Sequence, residues 1–204
     1  MQLRFNFEKS LQAAGVLLRL EEGRMPYLRL LKLLYIADRE MLAGSASPIT
    51  GDRAQAMKYG PVLSHIYALI KGSGPRFDDW DRHIRTQGYA LKLADDPGRG
   101  KLSRGEIEKL TEVSKRYRNQ DQWELSDLTH DFPEWKAHWP DGAEGGSYPI
   151  PWEDVITAQG EDAETIKVVE EEELARNYID GLFGPKRGSR CGIVDGSRDL
   201  ERSV

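Results

Sequence analysis

The sequence has little of what marks exported, membrane or metal-dependent proteins. Cys191 is its one cysteine in 204 residues, so no disulfide can close within the chain and a reducing compartment is the simpler setting. No run reaches about 18 apolar residues, which excludes a membrane-spanning helix. The opening residues MQLRFNFEKS lack an unbroken apolar stretch before a small-residue cleavage site; secretion is not expected and a cytoplasmic location is. His65, His83, His130 and His138 show no metal-ligand spacing. Neither a phosphate-binding loop nor a nucleophile elbow occurs, since Gly72-Ser73-Gly74-Pro75 lacks the lysine and threonine that would cradle phosphate. No cofactor and no enzymatic activity are expected.

Charge is present but uneven. Net charge is −5, with 16 basic against 11 acidic residues over 1–102 and 13 against 23 over 103–204. That total disfavours a strongly basic nucleic-acid-binding module, so nucleic acid is not an expected partner. The length suits one domain, large enough to bury a core without covalent staples.

Apolar periodicity predicts a mainly α, α+β fold: a helical domain over 1–160, an acidic helix over 161–184 and a flexible tail over 185–204. Residues 6–21 form an amphipathic helix capped by Asn6 and stopped by Gly23 as its C′ residue. A second helix begins with Pro26 in its first turn and runs to Gly44. It is apolar nearly all round, so it belongs in the middle of the globule. Arg29, Lys32 and Arg39 share a narrow basic seam on it, while Asp38 leaves an apolar stripe and must find donors or a cation. Asp38 reads as an anchor between helices, with a catalytic acid working alongside His65 as the competing reading.

Asp52–Tyr59 alternates like a short strand, and Pro61 is placed to open a third helix ending near Gly72. Residues 73–81 read as a polar loop. Trp80–Thr86 and Tyr89–Leu93 read as a hairpin turning at Gln87-Gly88. Ser103 and Glu106 form a capping box for a helix facing Ile107, Leu110, Val113 and Tyr117 inward, with Glu112 and Arg116 paired outside. A shorter helix covers Trp123–His130 and ends near Pro133; residues 141–149 are a glycine-rich loop, and Pro151 begins a brief helix to Ala158. Trp123, Trp135, Trp139 and Trp152 crowd one region, either packing short helices or forming a contact surface.

Three blocks then carry a likeness. Lys32-Leu33-Leu34-Tyr35-Ile36-Ala37-Asp38-Arg39, Met57-Lys58-Tyr59-Gly60-Pro61-Val62, and Leu125-Ser126-Asp127-Leu128-Thr129-His130 with Trp135 follow the order and spacing of the Panacea domain. Over about residues 8–155 the chain resembles the SocA-like antitoxins. The resemblance implies a mainly helical fold with a small β element. It also implies an antitoxin encoded beside its toxin and neutralising it by direct protein contact. At least one member acts as an adaptor that hands its toxin to a protease, and that role stays open here, as does DNA-binding autoregulation. The expected contact residues are Arg29, Lys32, Arg39, Lys58, Tyr59 and Trp135. Tyr35, Asp38, Gly60, Pro61 and His130 are the structural signature.

Overall fold

The computed structural model describes residues 1 and 3–183. Helix α1 (Phe7–Leu20) starts where the Asn6 side chain accepts the Lys9 amide at 3.1 Å, satisfying one of the free N–H groups of the first turn. It ends in a Schellman-type turn, the Gly23 amide donating to the Leu18 carbonyl at 2.8 Å. Glu22 occupies the left-handed C′ position (φ 56°), so Gly23 stands one residue later than expected.

Pro26 is not inside the second helix. It closes a three-residue strand, β1 (Arg24–Pro26), and stands at the N-cap of α2 (Tyr27–Ser45) with extended backbone. An edge strand tolerates proline because its missing N–H need not join the ladder. Leu30 through Ala37 are almost wholly sealed from solvent. Each buried leucine there contributes about 2 kcal/mol through the area it removes from water. α2 is therefore the axis of the molecule, packed by α1, by α5 (Arg104–Arg116), by α6 (Gln122–His130) and by α8 (Trp152–Ala158).

Two three-stranded antiparallel sheets complete a mainly helical fold. In one, β1, β5 (Ala90–Leu93) and β4 (Ile84–Gln87) lie in that order, and the hairpin turns at Gly88-Tyr89, one residue beyond the expected place. In the other, β2 (Ala54–Met57) lies between β3 (Gly60–Leu63) and β6 (Ser147–Ile150). Pro61 thus opens no helix: it pairs with Ala56 on an edge strand, and α3 (Ser64–Ile70) begins three residues later. The start of α3 is set from outside its own sequence, because the Asp52 carboxylate accepts the His65 and Ile66 amides at 3.0 and 2.9 Å.

Other boundaries also moved. α4 (Phe77–His83) replaces the end of the loop expected over 73–81 and the start of the strand expected over Trp80–Thr86, which begins only at Ile84; buried Trp80 holds it, and acids in its first turn and bases in its last complement the helix dipole. The short helix ends at His130 as expected, and Pro133 then opens a further helix, α7 (Pro133–His138). The glycine-rich 141–149 stretch leads into β6, whose pairing with β2 no local pattern announced. The Ser103–Glu106 capping box and the Glu112–Arg116 pair form as expected. Helix α9 (Ala163–Phe183) packs on α8 and buries Val169. The flexible tail expected over 185–204, with Cys191, lies outside the described residues. Among the described residues no helix is long and apolar enough to cross a membrane.

Candidate partner-docking site

The β2–β3 turn, Lys58-Tyr59, is exposed at its tip and fixed at its base. Four side chains from other elements donate to backbone carbonyls of the turn and of the strand ends that flank it. Trp135 Nε1 donates to Met57 at 3.1 Å, and His130 Nε2 to Lys58 at 3.1 Å. Ser126 Oγ donates to Tyr59 at 2.9 Å, and Lys32 Nζ to Pro61 at 2.8 Å. Gly60, at φ 88°, lets the chain pass where any side chain would collide: an added Cβ would lie 2.4 Å from Thr129 Oγ1 and 2.7 Å from Lys32 Nζ. The His130 ring also lies 4.3 Å from the Trp135 ring, and burial, aided by Lys32, holds its imidazole below the ordinary range. The three sequence blocks are therefore parts of one clamp around one turn.

The basic residues of α2 do not form an exposed seam. Lys32 is completely buried, and burial pushes its amine well below the usual lysine range. Arg29, 4 % exposed, bonds Glu21 Oε1 at 2.6 Å and the Tyr117 carbonyl at the end of α5, where a cation meets the negative end of the helix dipole. Arg39 is joined to buried Glu134 at 2.6 Å and lies 4.4 Å from the Phe132 ring centre. Tyr35 donates to the same Glu134 at 3.0 Å. Each of these side chains is committed to an internal partner rather than presented as an open basic strip. Trp135 is likewise turned inward onto Met57 and Trp139.

What faces out beside the turn is aromatic. Tyr59 on one hairpin tip, Tyr89 on the other and Trp123 at the start of α6 are 49 %, 80 % and 51 % exposed, too much for three large rings to count as core. They border a groove of about 560 Å³ floored by Leu31, Met57 and Val62. Tyr59 meets Trp123 edge-on at 5.6 Å, and Tyr27 stacks with Tyr89 at 6.1 Å. Lys71 Nζ sits 4.2 Å from the Tyr27 ring centre and Lys58 lies on the rim. Sequence reasoning placed Lys58 and Tyr59 here but missed Tyr89. Its position immediately after Gly88 in a hairpin turn was the available signal.

Asp38, the acid weighed with His65, lies near that histidine through Thr50 and Asp52. Asp38 accepts the Ile49 and Thr50 amides at 2.8 and 3.0 Å and the Thr50 hydroxyl, and burial pushes its carboxyl up to about 7 against those bonds. The Thr50 hydroxyl accepts the Asp52 amide at 3.1 Å, and Asp52 holds His65 Nδ1 at 2.6 Å. Backbone donors occupy both carboxylates, an arrangement that ties the 49–53 loop to α2 and α3. Among the described residues no group of His, Cys, Asp and Glu is placed to hold a metal ion.

The comparisons agree with the clamp. A family model described as "Antitoxin SocA-like, Panacea domain" matches residues 30–136, a span running from α2 through the turn to Trp135 and just past it. No curated protein and no solved structure matches the chain. With more than half its length matched, and the matching blocks joined around one turn, the chain belongs to the SocA-like family of Panacea-domain proteins.

Proposed function

We propose that this protein is an antitoxin that neutralises a toxin by direct protein contact, without covalent chemistry, and that the groove between its two hairpin tips is where the toxin docks. The observation that carries the reading is the clamp. Four buried or half-buried donors from α2, α6 and α7 spend their hydrogen bonds on a turn whose tip remains in solvent. Preorganising an exposed turn in this way removes ordering entropy from association. Tyrosine and tryptophan on rigid supports supply large contact area with few torsions to freeze, which is why they dominate binding hot spots. The occupied carboxylates of Asp38 and Asp52 favour this reading over an enzyme.

The test is co-expression with the product of the adjacent reading frame. The native chain should rescue growth and co-purify with that product. A folded Tyr59→Ala/Trp123→Ala variant should lose rescue, with affinity down at least about 30-fold for anchors worth about 2 kcal/mol together. Unimpaired rescue by that variant would refute the groove assignment; a neighbouring product that is harmless alone would refute the antitoxin reading.

A further inference from the structure

Helix α9 carries apolar side chains on two faces, and among the described residues only one of them is covered. The inner face is complete: Val169 is buried, Ile166 packs on the core, Glu173 accepts the Arg4 amide at 2.9 Å, and Arg176 donates to Ser47 at 2.8 Å. The opposite side presents Val168, Leu174, Tyr178, Ile179 and Leu182, between 42 % and 69 % exposed. A surface helix of a finished globule carries polar residues there. Because the inner face already has its partners, the helix gains nothing by rolling over to hide the outer one.

We propose that this outer face of α9 docks a basic amphipathic helix of another protein. The spacing is that of a helix-pairing seam: Val168, Glu171, Ala175, Tyr178 and Leu182 follow one another at alternating steps of three and four, the a and d positions of heptads. Leu174 and Ile179 flank the seam at the g and e positions and widen it. Charge selects the partner. Residues 161–183 hold eight carboxylates against two bases, and Glu170, Glu171 and Glu172 are exposed at the seam's upper end. A second copy of this helix would bring the same negative charge against it, and a parallel pair would set Glu171 against Glu171. A helix with leucine in its seam and lysine or arginine beside it satisfies both the apolar stripe and the acids. The surface lies beyond the matched 30–136 segment, so it is separate from the groove and independent of the antitoxin reading.

The experiment uses the full chain and two synthetic three-heptad helices with leucine at a and d, one carrying lysine and the other glutamate at e and g. The lysine helix should bind, weakening as salt rises, and the glutamate helix should not. Leu174→Asp/Tyr178→Asp, on exposed positions and checked for native circular dichroism, should weaken binding at least about tenfold. Glu170→Lys/Glu171→Lys/Glu172→Lys should reverse the preference between the two helices. Failure of the lysine helix to bind, equal binding by the stripe variant, or a chain that sediments as a dimer dispersed by Leu174→Asp/Tyr178→Asp would each overturn the proposal.

Discussion

Among the described residues, Glu134 and Arg29 show how buried charge finds partners here. Glu134, with its side chain wholly out of solvent, takes Arg39 and the Tyr35 hydroxyl, while Arg29 takes Glu21 and the end of α5. Removing either member of such a pair strands the other without water, the expensive way to lose an interaction. Asp38 offers a measurable consequence. Its carboxyl ionises near 4 in an unfolded chain and, through burial, near 7 in the folded one. Between those values the folded state holds a proton that the unfolded state has released, so stability falls as pH rises from about 4 to 7. The upper bound on that loss is about 4 kcal/mol. Urea unfolding at pH 5 and pH 8 should show the native chain losing stability relative to Asp38→Asn as pH rises; parallel profiles would refute the shift. Sequence alone identified Asp38 as a carboxylate on an apolar stripe. Its donors, the amides of Ile49 and Thr50, could not be read, because a backbone amide carries no residue signature.

At the scale of elements, local chemistry was legible and pairing was not. The Asn6 cap and the Ser103–Glu106 box are written within four residues, and both form. α4 was hidden because its apolar content is little more than Phe77 and Trp80, so its first half looked like a polar loop and its second like the start of a strand. β1 and β6 are too short to show alternation and exist because β5 and β2 offer them hydrogen bonds. Pro61 followed the general preference of proline for helix starts until Lys58-Tyr59 turned the chain back on β2. The clamp predicts what loosens that turn. Trp135→Phe removes the donor to Met57 and His130→Ala removes the donor to Lys58. Together they should speed amide exchange at 57–60 at least about tenfold while leaving the α2 amides as slow as before. Equal exchange in the two proteins would show that the β2–β3 ladder alone holds the tip.

On the scale of the molecule, α2 is an axis through which the groove is supported and on which the remaining helices are hung, while α9 stands outside with its own bare face. The groove rings and the α9 stripe belong to different elements and share no residue, so perturbations of the two should be additive. Tyr59→Ala/Trp123→Ala should leave binding of the basic helix unchanged, and Leu174→Asp/Tyr178→Asp should leave toxin rescue unchanged. Coupling greater than about 0.5 kcal/mol in a double-mutant cycle would show that one partner spans both surfaces.

By itself the sequence determined the mainly helical class, the centrality of α2, the local caps and the three blocks that mark the family, because each depends on residues close together or on periodicity along one element. Only the tertiary structure decided where the charges of Arg29, Lys32 and Arg39 point, that three distant blocks close on a single turn, and which aromatic rings remain in water. Those outcomes depend on acceptors and neighbours as many as 95 positions away, as Arg39 and Glu134 are. A side chain's type sets what it needs, and only the folded chain settles which group meets that need.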